Sequence, residues 1–93
     1  MVVASQTWEL SLPGCSSLKE KRSVIRSLKD RLRSRFNVSV SETAFQDVWT
    51  RAEVSVALVT TDGHGAEALL DRMDHFVAEN ARAVIVGRRR DFH

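Results

Sequence analysis

Cysteine, proline and tyrosine are almost or wholly missing from this sequence, which has one Cys, one Pro and no Tyr in 93 residues. A lone Cys15 excludes an intrachain disulfide and fits the reducing cytoplasm. No apolar run approaches the roughly 18 residues needed to span a bilayer. The opening segment MVVASQTWEL lacks the basic start and the long apolar core of a secretory signal. We therefore expect a cytoplasmic protein without a membrane segment.

Catalytic and cofactor-binding motifs are missing too. The sequence contains no glycine-rich phosphate loop, no H-E-x-x-H motif and no G-x-S-x-G motif. Asp71, His75 and Glu79 have a helical spacing that could hold a divalent metal, but a solvated helix face explains them more simply. His64 lies in a glycine-flanked turn without a catalytic partner at a suitable spacing, and Cys15 has no paired Cys or His. We expect no enzyme, no metal and no cofactor.

Charge is abundant but unevenly distributed. The chain has 14 Lys and Arg residues against 12 Asp and Glu residues, for a net charge of +2. Residues 18–36 hold eight of the basic residues and two of the acidic ones, so this segment carries +6 and the rest carries −4. Such asymmetry within a single small domain, which we expect to span residues 1–93, points to an anionic partner.

Hydrophobic periodicity predicts six elements. Period-two alternation indicates strands, and apolar residues at 3-4 spacing indicate helices. Ser17 and Glu20 form an S-x-x-E capping box at the start of the first helix. The predicted elements are a strand over 2–12, a helix over 18–36, strands over 38–45 and 53–61, a helix over about 65–79, and a strand over 83–87. Extension of this last strand into the arginines at 88–90 stays open. This β-α-β-β-α-β order predicts an α+β, ferredoxin-like domain whose four-stranded antiparallel sheet carries both helices on one face.

The inward-facing positions of these elements predict one core. They are apolar in every element and share the parity or the helical stripe that faces the opposite layer. The predicted core consists of Trp8, Leu10, Ile25, Leu28, Leu32, Val54, Val56, Leu70, Met73 and Phe76.

Several short motifs resemble those of a known family. They are the run SLKEKR at 17–22, SLK at 27–29, RFNVS at 35–39, Gln46-Asp47, Trp49 and Arg51-Ala52. Together they resemble the YlxP-like family of small bacterial proteins, and the similarity extends over nearly the whole chain. The resemblance implies a ferredoxin-like fold, a cytoplasmic protein and genes that often neighbour those of translation-initiation and ribosome-maturation factors. It implies no catalytic residues.

One row of basic residues follows the first helix. At about 100° per residue, five basic side chains fall on one flank of the apolar stripe, at intervals of 3, 4, 3 and 4. This basic row consists of Lys19, Arg22, Arg26, Lys29 and Arg33. Lys21, Arg31 and Arg35 fall on the other flank. Like charges at these spacings repel each other, so folding gains nothing from the row. A row of this kind can follow the phosphates of a nucleic acid.

Three interpretations of the basic row remain open. The first is a non-enzymatic binding module that engages RNA or a ribosomal assembly. The second is a protein-interaction or homodimeric module, in which the row meets an acidic partner or the acidic second helix of another copy. The third is a solvated face whose Lys and Arg stems cover the edge of the core.

The open face of the sheet and the hairpin connection are two further surfaces that could bind a partner. RNA-recognition modules of this topology stack bases on aromatic residues of the two central strands. The outward positions of the first and third strands here contain no aromatic residue and include Glu9 and Glu53, so we expect no such platform. Trp49, in the predicted hairpin connection, is a candidate partner-binding residue. The alternative, which small domain size favours, is that Trp49 closes the open end of the core. A polar open face predicts at most a weak homodimer.

Overall fold

The fold is a four-stranded antiparallel sheet with two helices, seen in a computed structural model that describes residues 1–80 and 82–93. The elements are β1 (Val2–Ser11), α1 (Leu18–Arg35), β2 (Ser39–Ala44), β3 (Arg51–Thr60), α2 (Gly63–Ala78) and β4 (Val84–Phe92). The strand order is β2-β3-β1-β4, and each neighbouring pair is antiparallel. This confirms the predicted ferredoxin-like α+β fold.

Local sequence signals fix where the helices begin. Ser17 caps α1, because its hydroxyl accepts a hydrogen bond from the Glu20 amide at 3.1 Å. The reciprocal half of the predicted capping box is displaced by one residue: the Glu20 carboxylate accepts from the amide of Ser16 at 3.1 Å and from its hydroxyl at 2.9 Å. Asp62 caps α2 by accepting from the Gly65 amide at 2.6 Å, so α2 begins at Gly63, two residues earlier than expected.

The core confirms nine of the ten predicted residues. Seven of the nine are completely buried, and the other two, Ile25 and Val56, are 2% exposed. The exception is Phe76, which packs against the core but is only partly buried. Its ring lies edge-on to Phe36, with centroids 5.6 Å apart, at one end of the helix layer. Val77, one residue further along α2, takes the fully buried position.

A buried polar cluster fastens α2 to the sheet. Gln6 interrupts the apolar row of β1 and is 1% exposed. Its amide nitrogen donates to Oδ1 of Asp74, which also accepts from Trp8 Nε1 at 2.7 Å. Arg90 Nε donates to Gln6 Oε1 at 2.6 Å, and Arg90 Nη2 donates to Asp74 Oδ2 at 3.1 Å. Every polar group in this cluster is therefore satisfied, as burial requires.

The same cluster explains why β4 extends past residue 87. The sequence predicts a strand over 83–87 and leaves its extension into the three arginines open, and β4 continues to Phe92. Arg88 and Arg90 lie opposite Trp8 and Gln6 and face α2. The Asp74 carboxylate of α2 compensates both guanidinium groups, so the charge on β4 does not prevent this strand from pairing with β1. Neither α1 nor α2, within the described part of the chain, is long and apolar enough to cross a membrane.

Candidate nucleic-acid interface

The basic row lies on the side of α1 that borders β2. The buried side of α1 contains Lys21, Val24, Ile25, Leu28 and Leu32. Arg33, the last member of the row, donates from Nη2 to the Val40 carbonyl of β2 at 3.0 Å. The opposite flank of α1 faces α2, where Arg31 and Arg35 lie over the Phe76 ring at 5.6 and 5.3 Å from its centroid. The row and the other flank therefore have different surroundings.

Four members of the basic row have no partner in the part of the chain that the structure describes. Lys19, Arg22 and Arg26 are exposed and Lys29 is half-buried. None of these four side chains makes a salt bridge or a hydrogen bond to any residue that the structure describes. Arg33 differs, because it contacts both Val40 and Asp30, the latter at 3.4 Å. The unpaired charge is thus concentrated at the first four positions of the row.

A shallow groove on the outer surface of α1 is lined by three of these four residues, Lys19, Arg22 and Arg26. It has a volume of about 600 Å³. Ser23 and Ser27 supply hydroxyl groups to the same lining. Asp30 is the one acidic residue of the lining. Guanidinium and hydroxyl groups in this arrangement are the donors that proteins use for phosphate oxygens.

The prediction that Lys21 lies with Arg31 and Arg35 on the flank opposite the basic row is wrong. Its side chain is 1% exposed, and Nζ lies 2.9 Å from Oε2 of Glu42. Nζ also donates to the backbone carbonyl of Phe45. The contact with Glu42 Oε2 lacks hydrogen-bond geometry, so the attraction there is chiefly Coulombic. The helical wheel contained the signal, because Lys21 falls within the buried arc, between the angles of Ile25 and Leu28.

The second basic cluster, Arg88-Arg89-Arg90, is divided between the two faces of β4. Arg88 and Arg90 turn toward α2 and pair with Asp74 at 3.4 and 3.1 Å. Arg90 also pairs with Asp71 at 3.0 Å. Arg89 lies on the open face, 68% exposed, with Glu53 and Asp91 at 3.8 and 3.9 Å. The cluster is therefore no continuous anion site.

The open face of the central strands is polar, as expected. Inward residues of β1 and β3 are buried and the alternate residues are not. The Ser55 hydroxyl lies 2.9 Å from that of Thr7 and 2.8 Å from that of Thr43, so a chain of hydroxyl groups crosses three strands. Glu9 and Glu53 lie directly opposite each other in the register of β1 and β3.

Phe45 is a residue of the open face that sequence reasoning missed. It lies just after β2, has a φ of 62°, and is the one non-glycine residue with positive φ in the described ranges. The guanidinium of Arg51 lies 4.3 Å from the centroid of its ring. Together with Glu9, Glu53 and Gly87, Phe45 lines a groove across the sheet. No local pattern signalled this position, because it depends on the bulge between Glu42 and Ala44.

Trp49 does not close the core. Its side chain is 49% exposed, and its neighbour Val48 is 39% exposed. The end of the core is closed by Leu12, which is 1% exposed and whose amide donates to the Thr50 carbonyl at 2.9 Å. The interpretation of Trp49 as a core cap is therefore wrong, and the side chain is accessible in the hairpin connection.

The other candidate residues remain scattered. Within residues 1–80 and 82–93, no three His, Cys, Asp or Glu side chains are grouped as a metal site would require. Asp71 pairs with Arg90 rather than approaching His75 and Glu79. Cys15 is half-buried, and its thiol donates to the Ser17 carbonyl at 3.4 Å.

Glu20 is the residue with a perturbed acidity. Hydrogen bonds from the backbone amide and then the hydroxyl of Ser16 lower the pKa of the Glu20 carboxyl below its ordinary value of 4.5. Arg82 adds to this effect, with its Nη2 at 2.9 Å from Glu20 Oε1. The effect stabilises the start of α1 and does not touch the unpaired part of the basic row.

Comparisons with known proteins place the chain in a family. The aligned region with "Uncharacterized protein YlxP" of Bacillus subtilis (strain 168) is 39% identical over 61 residues. This region spans 66% of each protein, just under two thirds of the length of either. Residues 3–90 match the family described as "Protein of unknown function (DUF503)". The match covers nearly the whole fold, and the chain therefore belongs to this YlxP-like family, DUF503.

Proposed function

We propose that this protein is a non-enzymatic module that binds RNA, alone or within a ribosomal assembly, through the basic row on α1. One observation supports this proposal above the others. Ten of the 14 Lys and Arg residues contact a carboxylate, an aromatic ring or a backbone carbonyl. The four that make no such contact with residues 1–80 and 82–93 are Lys19, Arg22, Arg26 and Lys29, which are consecutive members of one row.

The dimensions of the row suit a nucleic-acid backbone. Lys19 and Lys29 are ten residues apart, so the unpaired positions extend over ~15 Å of helix at about 1.5 Å per residue. This length reaches about three or four phosphates of an extended strand. Arg22 and Arg26 each offer a planar fork of donors, which matches phosphate oxygens better than the single ammonium of Lys does.

Fold stability does not explain the row. Neighbouring cations at these spacings destabilise a helix by a few tenths of a kcal/mol per pair, about 0.2–0.5. Because the four side chains make no compensating contact with the described residues, this repulsion is not offset within the protein. An anionic ligand would remove it. We propose that Trp49, exposed at the hairpin, adds an aromatic contact to the same partner in the cytoplasm.

The homodimeric alternative has less support. In that arrangement, the basic row of one copy would meet the acidic α2 of another. The α2 carboxylates Glu67, Asp71 and Asp74 already pair with Arg90 of the same chain, at 3.7, 3.0 and 3.1 Å. A second copy would have to compete with these contacts, whereas a phosphate backbone brings its own negative charge.

Affinity purification from a cell lysate tests the proposal. The wild-type protein is expected to recover RNA, and ribonuclease treatment should abolish the recovery. Arg22→Gln with Arg26→Gln should recover much less, whereas the control Arg35→Gln with Arg72→Gln removes equal charge elsewhere and should recover as much as the wild type. Protein partners that persist after ribonuclease, with no RNA in the untreated sample, would favour the acidic-partner alternative.

A further inference from the structure

Phe45 is held in its unusual conformation by contacts from inside the fold. A left-handed backbone is rare for a bulky side chain and persists only when the surroundings enforce it. Here the Phe45 carbonyl accepts two hydrogen bonds, one from the buried Nζ of Lys21 and one from the Val48 amide at 3.0 Å. With the carbonyl fixed, the ring lies at the open face of the sheet and lines the groove there.

The groove beside Phe45 has a volume of about 360 Å³. It crosses the sheet from the hairpin at β2 to Gly87 and Arg89 on β4. This is three interstrand spacings, or ~14 Å at about 4.8 Å each. Gly87 lines the far end, beside the side chain of Glu9. The volume of the groove falls within the roughly 300–1,000 Å³ typical of small-ligand sites.

The groove presents three kinds of chemistry in order. At the hairpin end, the Arg51 guanidinium stacks on the Phe45 ring and also pairs with Glu9. In the middle, the carboxylates of Glu9 and Glu53 retain free lone pairs, since each carboxylate can accept about four hydrogen bonds. At the β4 end, Arg89 is 68% exposed, and its ion pairs with described residues are the long contacts to Glu53 and Asp91.

This order fits a nucleotide. Bases stack on Phe rings and on Arg planes. Carboxylates accept hydrogen bonds from the exocyclic amino groups of bases, as in the Glu or Asp contact with cytosine N4. An exposed Arg suits a phosphate. A ligand consisting of phosphate alone does not fit, because two carboxylates lie in the middle of the groove.

The groove is also within reach of the basic row. Lys21, which bonds to the Phe45 carbonyl, lies in the first turns of α1 between Lys19 and Arg22. The N-terminal end of the row is therefore next to the hairpin that carries Phe45. A strand that follows the row toward this end arrives at the edge of the open face.

We propose that the groove lined by Phe45, Glu9 and Glu53 binds one unpaired base of the RNA strand and prefers a base with an exocyclic amino group, such as cytosine, over uracil. This inference rests on the proposed function, because the same strand occupies the basic row. The row supplies affinity without sequence preference, and the groove supplies the preference.

The test compares octamers of cytidine and uridine by fluorescence anisotropy. The wild type should bind the cytidine octamer at least about 5-fold more tightly. Phe45→Gly should weaken cytidine binding by roughly 5- to 100-fold, the range expected for one lost base–aromatic stack, without changing the salt dependence. Glycine accepts the positive φ, so this variant should keep its fold. Phe45→Tyr should bind like the wild type.

The control is Phe92→Gly, which removes another exposed aromatic residue, 44% exposed, from the far end of β4. This substitution should change the affinity by less than about 2-fold, because Phe92 does not line the groove and so cannot stack on the bound base. Equal affinity for both octamers, or unchanged binding by Phe45→Gly, would overturn the base site. If the wild type binds neither octamer at low salt, the proposed function itself fails. The two failures are therefore distinguishable.

Discussion

The ammonium group of buried Lys21 on α1 donates to the backbone carbonyl of Phe45, a residue 24 positions away that follows β2. This hydrogen bond connects the first turns of α1 to the hairpin that follows β2, the edge strand of the sheet. The Lys21 side chain is 1% exposed, and Glu42 provides the nearest negative charge at 2.9 Å. A Lys from the most basic segment of the chain thus has a structural role, whereas its neighbours Lys19 and Arg22 face solvent.

Lys21→Met should destabilise the protein substantially. Removing one partner of a buried ion pair leaves the other charge uncompensated, which costs about 3–5 kcal/mol. Glu42 is 17% exposed, so water offsets part of the loss and we expect a value near the lower end, about 3 kcal/mol. Urea unfolding measures the free energy. Adding Glu42→Gln should recover a large part of the loss. If Lys21→Met alone were as stable as the control Arg26→Met, the assigned role of Lys21 would be contradicted.

Asp74→Asn should loosen α2 from the sheet. The Asp74 carboxylate accepts from Gln6, Trp8 and Arg90, and an amide would present a donor to one of these donors. We expect a loss of about 2–4 kcal/mol in the free energy of unfolding. The emission of Trp8 should also change, because its indole NH loses a charged acceptor. Asp91→Asn, at an exposed carboxylate, is the matched control and should change stability by less than about 0.5 kcal/mol.

Leu28→Ala should create a cavity at the centre of the core. Leu28 is fully buried on α1, facing the sheet. Truncation of a buried Leu to Ala costs about 2–5 kcal/mol, and Ser27→Ala on the exposed side of the same helix should cost less than about 0.5 kcal/mol. Denaturant unfolding of both variants checks the register of α1. Similar stabilities for the two would mean that this helix packs through another face.

The stability contributed by Glu20 should depend on pH. Hydrogen bonds from Ser16 lower the pKa of Glu20 in the folded state, so the folded protein binds this proton less readily than the unfolded chain does. The contribution is therefore fully present above the ordinary value of 4.5 and is lost as the pH falls through the lowered pKa. In thermal unfolding, the melting temperature of the wild type should be higher than that of Glu20→Gln at pH 7. The difference between the two melting temperatures should shrink as the pH falls below 4.5. A difference that grows on acidification would contradict the assignment.

Ser16→Ala provides a second variant for the same contact. It removes the hydroxyl donor to Glu20 and keeps the amide donor. We expect it to show part of the pH dependence of Glu20→Gln. Because Glu20 also contacts Arg82 across the fold, residual dependence in Ser16→Ala measures what the amide and Arg82 contribute together.

The fold was predictable because its signals are local and agree with each other. The alternation in β1, the helical stripe of α1 and the capping box at Ser17 are properties of short segments, and the order of the six elements leaves one common topology. Three features depend on residues that are distant in the sequence. The helical wheel places Lys21 in the buried arc, but its partner Glu42 lies 21 positions later, and the placement of Phe45 depends on a bulge in β2. The extension of β4 depends on carboxylates of α2.

The candidate site likewise has a part that is predictable from one segment of sequence and a part that is not. The spacing of the basic row is a property of one helix, so sequence alone placed Lys19, Arg22, Arg26, Lys29 and Arg33 together. The distinction between Arg33, which bonds to Val40, and the four unpaired residues required the neighbouring strand. The open-face groove combines residues from all four strands or their ends, and no sequence window contains them.

The salt dependence of RNA binding tests the central claim most directly. About four phosphate contacts on a single strand predict a slope of roughly −3 for the logarithm of the binding constant against the logarithm of the salt concentration, at −0.7 per contact. Arg22→Gln with Arg26→Gln should flatten this slope to about −1.5, and Arg35→Gln with Arg72→Gln should leave it near −3. Equal flattening by both pairs, or no salt-sensitive binding by the wild type at low ionic strength, would contradict the account.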